Sequence, residues 1–225
     1  MRASDLLSSA IKVMAGTLAF ALLHSALASR AAKASASRWL GARQRNGLYR
    51  VFFIVQSFVS LAALYAYARR LPDAVIYRVK GPLAALMRLG QAGGLAYAVY
   101  TAAHIGFLKV TGLESLLAWL GGKSDVPAEP EAQGPPLQDN GNIKATGPFT
   151  LSRHPLNFSP LPVFWLNPVM TTRLAAFNLA ATVYLVLGSI HEETRLRAAY
   201  GEPYTAYQKS ETPFYVPSVL ARQPE

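Results

Sequence analysis

Two short polar runs in this sequence abut apolar segments. Arg153-His154-Pro155 leads directly into Leu156–Met170, and His191-Glu192-Glu193 closes the run Leu174–Ile190. Pro155 suits the first turn of a helix, where a missing N–H costs nothing. Arg153 and His154 then lie beside free backbone N–H groups and the positive end of a helix dipole, a setting that favours a carboxylate or other anion. A plainer reading stays open, in which Arg153 snorkels to lipid headgroups and His154 only caps the helix. Glu192 and Glu193 face the negative end of a dipole, so something must compensate them. Solvent, or Arg195 and Arg197, would suffice locally. Yet only Thr171-Thr172-Arg173 separates the two apolar runs, which forces an antiparallel hairpin. That hairpin returns the acidic pair to the face of the basic pair, an arrangement matched to a zwitterionic cofactor.

The elements that must position these residues follow from composition. Of 225 residues, 52% are hydrophobic and only 15% charged, with a net charge of +10 and no cysteine. A soluble domain normally carries about 25% charged residues, so the expected class is all-α, a polytopic membrane helical bundle. Without cysteine there is no disulfide, thiolate metal site, iron–sulfur cluster or cysteine nucleophile. No metal site is expected.

Membrane spans need about 20 apolar residues, and about five are expected: Leu6–Ala28, Tyr49–Ala68, Leu83–Leu108 and the two arms of the hairpin. Ala26-Leu27-Ala28 superficially resembles a signal-peptide cleavage site, but Lys12 interrupts the apolar run and a basic segment follows it, so this stretch is read as a retained helix. Gly90, Gly93, Gly94 and Ala98 have the spacing that lets helices approach closely. Residues 111–120 read as a short interfacial helix with Trp119 at headgroup depth. The proline-rich stretch Ser124 to Gln138 reads as a solvated loop. The first hairpin arm, with Pro160, Pro162 and Pro168, should be bent, its freed carbonyls satisfied within protein or in a wet cavity. A single integral-membrane domain, 1–225, is expected, comprising N-terminal spans and interfacial helix (1–120), a loop (121–139) and the hairpin region (140–217).

Basic residues near the span ends number thirteen on one side and seven on the other. This places the N-terminus outside and the C-terminal tail in the cytoplasm. The positive charge is thus mostly topological, and its dispersal among loops gives no nucleic-acid-binding face. There is no HExxH, GxSxG or Gly-rich phosphate loop. His24 and His104 lie in or at the end of spans, where a pair of histidines is a candidate for haem ligation as well as for packing.

As an ordered set, Gly147-Pro148-Phe149, Arg153-His154-Pro155, the hairpin, Glu192-Glu193, Tyr200-Gly201-Glu202-Pro203-Tyr204-Thr205-Ala206-Tyr207 and Thr212-Pro213-Phe214-Tyr215 resembles the integral-membrane methyltransferase superfamily, which includes isoprenylcysteine carboxyl methyltransferases and phospholipid methyltransferases. His24-Ser25-Ala26-Leu27, Leu48-Tyr49-Arg50, His104-Ile105-Gly106-Phe107 and Phe164-Trp165-Leu166-Asn167-Pro168-Val169-Met170-Thr171 are similar to the methanethiol S-methyltransferase and NnrU-type branch. The resemblance implies S-adenosylmethionine as cofactor, bound at the cytoplasmic end of the hairpin. Asn142, Ile143, Lys144, Gly147 and Phe149 would border it; His154, Pro155, Leu156 and Asn157 would line it; Glu192 or Glu193 would hold its charged part. Asn157 stands where the family usually has tyrosine.

Methyl transfer from a sulfonium needs no covalent intermediate, since positioning and exclusion of water supply most of the acceleration. The expected function is a membrane-bound methyltransferase acting on a small or lipophilic thiol, amine or carboxylate, with Arg153, His191 and Glu193 as candidate catalytic residues and membrane lipid as surroundings. Oligomeric state is not set by the sequence. The alternative is an NnrU-type protein, non-catalytic or haem-binding through His24, His104 or His154.

Overall fold

The computed structural model describes residues 2–129, 133–138, 140–143 and 145–218. In chain order the elements are α1 (Ala3–Ala28), α2 (Arg30–Leu40), α3 (Ala42–Ala68), β1 (Val75–Arg78), α4 (Gly81–Ile105), α5 (Phe107–Thr111), α6 (Leu113–Leu120), a 3-10 turn (Gly147–Thr150), α7 (Pro155–Phe158), α8 (Pro160–Trp165), β2 (Val169–Thr171), α9 (Thr172–Tyr200) and α10 (Glu202–Lys209). The fold is mostly helical.

Three of the described helices, α1, α3 and α9, are long and apolar enough to cross a membrane. Their outward side chains include Leu22 and Phe58, each more than 70% exposed, an apolar surface suited to lipid. The expectation of five is met only in part. α4 has the length, but Arg88 and Gln91 fall in its middle and it is not among the three. The segment expected as the fourth span is broken into α7 and α8, each far too short to span alone.

The described residues form two compact units interleaved along the chain. One comprises residues up to Arg78, Leu108–Glu129 and Val169–Ala181. Here α1, α2 and α6 pack on α3. Gly47 lets the Trp119 side chain lie against α3, since a Cβ there would fall 2.5 Å from the Trp119 Cβ and 2.6 Å from its ring. The 124–129 stretch is irregular but not solvated throughout. Val126 is buried, Asn46 Nδ2 donates to its carbonyl at 2.8 Å, and the Glu129 carboxylate lies 3.0 Å from Lys33 and 3.8 Å from both Arg45 and Arg50. A proline-rich chain without ladder partners still has carbonyls to satisfy, and Asn46 and Ser115 supply donors to those of Val126 and Pro127. β1 and β2 pair antiparallel beside an Asp73–Arg173 ion pair of 2.9 Å.

The second unit holds Val79–Phe107, Pro130–Pro168 and the chain from Thr182 onward. α7 and α8 pack on α4, and two glycines set how closely. A Cβ on Gly94 would lie 2.8 Å from the Ser159 carbonyl oxygen, and one on Gly90 would lie 2.3 Å from Leu166, whereas Gly93 faces open space. The prolines bend the segment, and side chains serve carbonyls at the bend. Ser159 Oγ donates to Pro155 O at 2.6 Å and Gln91 Nε2 to Val163 O at 2.9 Å. Along the two arms, His154 meets Glu193, Asn157 meets Ser189 and Trp165 meets Thr182, so partner numbers fall on one arm as they rise on the other. That ordering is the antiparallel hairpin.

Candidate functional site

The site begins with α7. Pro155 at its N-terminus fixes the helix start, and the two preceding residues therefore project from a defined point. Ser152 Oγ accepts from the His154 backbone N–H at 3.1 Å and donates to Tyr215 O at 2.8 Å. Arg153 N donates to Pro213 O at 2.9 Å. The C-terminal tail is thus strapped across the residues that lead into the helix.

Arg153 Nε donates to Glu193 Oε1 at 2.7 Å, while its Nη1 reaches Gln208 O at 3.0 Å and Thr212 O at 3.3 Å. The guanidinium also lies over the Phe214 ring, 5.6 Å from its centroid. The His154 side chain is 1% exposed, its Nδ1 3.4 Å from Glu192 Oε2 and its Nε2 3.5 Å from Glu193 Oε1. Nε2 is buried without a hydrogen-bond partner among the described residues. The same ring meets Phe214 edge-on, centroids 5.1 Å apart.

Both carboxylates are further held. Glu192 Oε1 accepts from Gln133 N at 3.2 Å and its Oε2 from Asn157 Nδ2 at 3.1 Å. Glu193 Oε2 accepts from Gln208 Nε2 at 2.7 Å. Asn157 also reaches Ser189 Oγ at 2.9 Å, and its carbonyl accepts from Tyr215 OH at 2.7 Å.

An aromatic cluster underlies this constellation. Leu196, Tyr204 and Tyr207 are buried together, with Ile143, Ala145 and Tyr200 packed against them. Tyr207 OH donates to Phe149 O at 2.6 Å, and Phe149 is fully buried. Burial raises the phenols of Tyr204 and Tyr207 above the ordinary tyrosine value, and the Glu193 charge adds to the rise at Tyr204. Burial pushes Tyr215 up to about 12.

Of the residues expected at the site, Arg153, His154, Asn157, Glu192 and Glu193 come together directly. Pro155 and Leu156 continue the helix, Pro155 buried and Leu156 half-buried. Phe149 and Ile143 border the aromatic cluster, and Ile143 pairs with Leu137 in an antiparallel bridge. Gly147 adopts φ +56°, and a Cβ there would lie 2.8 Å from the His104 ring. Asn142 is exposed on the adjoining turn. Lys144 lies outside the described residues. His191 is exposed and makes no hydrogen bond or ion pair among the described residues. Gln208, Ser189 and Thr212 were not foreseen as site residues. Phe214 and Thr212 sit inside a recognised motif, but nothing in the sequence marks Gln208.

His24 packs against Phe20 and Phe53, and His104 shares a hydrogen bond of 2.9 Å with Thr146. One guanidinium, that of Arg153, faces two carboxylates here, with the His154 imidazole against both. A largely buried negative charge beside an unpartnered imidazole nitrogen fits a cationic or zwitterionic group such as the sulfonium amino acid part of S-adenosylmethionine.

Comparison with known proteins points to the same class: the relatives found are methyltransferases by name. The chain is similar to the methanethiol S-methyltransferase of Mycobacterium tuberculosis, at 29% identity over 196 residues covering 84% of this chain and 71% of the relative. It is also similar to methanethiol S-methyltransferase 1 of Bradyrhizobium diazoefficiens, at 28% over 193 residues, 84% of this chain and 61% of that one. A shorter stretch of 80 residues is 32% identical to the enzyme of that name from Pseudomonas deceptionensis and spans 36% of this chain and 30% of the relative. The resemblance to the methanethiol branch of the membrane methyltransferases is thereby borne out. No family profile matches the chain. No solved structure matches it either.

Proposed function

We propose that this chain is a membrane-embedded methyltransferase that moves a methyl group from S-adenosylmethionine to a small or lipophilic thiol, amine or carboxylate. The relatives' name makes methanethiol the first acceptor to test. The observation that carries the reading is the convergence of Glu192 and Glu193 with Arg153 and His154 at one end of the hairpin.

S-adenosylmethionine, when bound, supplies an electrophilic methyl group. Glu192 and Glu193 hold its positive charge. Arg153 fixes Glu193 and the tail carbonyls of Gln208 and Thr212, so it acts as an anchor for the site. The tail, through Phe214 and Tyr215, covers His154 and excludes water, which strengthens every charge interaction beneath it. Asn142, Ile143, Phe149 and the outside-lying Lys144 border the nucleoside side, and His191 or Glu193 accepts the proton that a thiol releases. Three membrane-length helices support a bilayer location; the bias of basic residues toward one side supports an N-terminus outside and a tail in the cytoplasm, in a bacterial inner membrane. The comparisons favour this reading over the haem-binding one.

The test is transfer of a labelled methyl group in purified, detergent-solubilised protein. Label appearing in dimethyl sulfide from methanethiol, or in another member of a thiol, amine and carboxylate panel, supports the proposal. No labelled product from any acceptor, in folded protein, overturns it.

A further inference from the structure

Each carboxylate of the site is gripped by a carboxamide. Asn157 Nδ2 donates to Glu192 Oε2 at 3.1 Å, and Gln208 Nε2 donates to Glu193 Oε2 at 2.7 Å. A carboxylate only accepts, so the amide nitrogen must be the atom that faces it. Such a donor satisfies a lone pair and fixes the direction of the carboxylate, yet removes none of its charge. Lysine or arginine in either place would make the same hydrogen bond and cancel the charge. One such cation is already present, because Arg153 pairs with Glu193. A second would give each carboxylate a fixed cation of its own.

The charge that remains is poorly screened, since the side chains of Glu192 and Glu193 are only 20% and 13% exposed. Asn157 is itself fixed from two directions, by Ser189 on its side chain and by Tyr215 on its carbonyl. Gln208 is fixed by α10 and by Arg153 on its carbonyl.

Resting on the reading of this site as one for a sulfonium cofactor, we propose that Asn157 and Gln208 are positioning residues that set the charge class of the ligand. They hold Glu192 and Glu193 in fixed directions without adding a cation that would compete with the ligand's cationic centre. Asparagine in place of the tyrosine expected from the resemblance then has a role: it supplies the neutral donor to Glu192.

The experiment compares Gln208→Lys with Gln208→Met, measuring calorimetric affinity for S-adenosylmethionine and for methylthioadenosine, which keeps the nucleoside but has no charge. Gln208→Lys is expected to lose at least tenfold more affinity for S-adenosylmethionine than Gln208→Met, while the neutral probe changes less than threefold in either. Equal losses in the two variants would mean that only the hydrogen bond matters, and the proposal falls. Should the lysine variant not fold, Gln208→Met alone decides. Its preference for S-adenosylmethionine over the neutral probe is expected to stay within threefold of wild type, and collapse of that preference overturns the proposal. A wild-type protein that binds neither probe would overturn the methyltransferase reading and this inference with it; one that binds both probes equally would overturn this inference alone.

Discussion

Arg153 and Glu193, forty residues apart in sequence, share a 2.7 Å hydrogen-bonded ion pair that joins the start of α7 to the C-terminal part of α9. The same guanidinium holds two tail carbonyls, at Gln208 and Thr212. One side chain therefore ties three segments of the site. Arg153→Ala should loosen all three, with a stability loss of about 2 kcal/mol, less than for a fully buried pair because both side chains retain some exposure. Arg153→Lys should recover less than half of that, since lysine lacks the planar fork. Thermal unfolding in detergent checks both; full recovery with lysine would show that charge alone matters.

Close approach of α4 to the bent segment depends on one glycine. Gly94→Ala would set a Cβ 2.8 Å from the Ser159 carbonyl, so the backbone must shift at a cost of roughly 1–3 kcal/mol. Gly93→Ala meets nothing and should stabilise by up to about 1 kcal/mol through helix propensity. Opposite signs are the prediction, and a shared sign would contradict the packing described.

The two central tyrosines should respond differently to loss of their hydroxyls. Tyr207→Phe leaves the Phe149 carbonyl without its donor and should cost roughly 1–2 kcal/mol. Tyr204 OH is buried with no hydrogen-bond partner among the described residues, so Tyr204→Phe should be neutral or stabilising. Chemical denaturation of the two variants side by side measures the difference.

Alkaline stability follows from the tail. Tyr215 ionises at about 12 in the folded chain because of burial, against about 10 when unfolded. The unfolded chain therefore binds fewer protons between those values, and stability falls as pH rises from 10 through 12. Below pH 10 this contribution is complete. Tyr215→Phe should flatten the fall in melting temperature across that window, and an unchanged slope would place the effect elsewhere.

Much of this architecture is legible in the sequence because hydropathy and hairpin length are local properties. Pro155 marks the start of α7, and the short link between the two apolar runs forces the return that brings Glu192 and Glu193 to Arg153 and His154, although Thr172 and Arg173 already belong to α9. The prolines announce a bend, yet they do not tell that Gln91 serves Val163, because that bond depends on how α4 docks. Gln208 is silent in the sequence for the same reason. Glutamine has no charge to count and no spacing signature, so only the fold of α10 against Glu193 gives it a role. The loop before Gly134 reads as solvated from composition, although side chains of α2 and α3 draw Glu129 inward.

The acidic pair facing Arg153 and His154 is proposed to bind a sulfonium cofactor. Calorimetric titration of the folded, detergent-solubilised protein with S-adenosylmethionine and S-adenosylhomocysteine tests it most directly, with Glu192→Gln/Glu193→Gln as comparison. Saturable one-site binding in the wild type, weakened more than tenfold in the double variant (about 1.4 kcal/mol), is predicted. Absence of heat and of any thermal shift in the wild type, or identical affinity in the double variant, would contradict it.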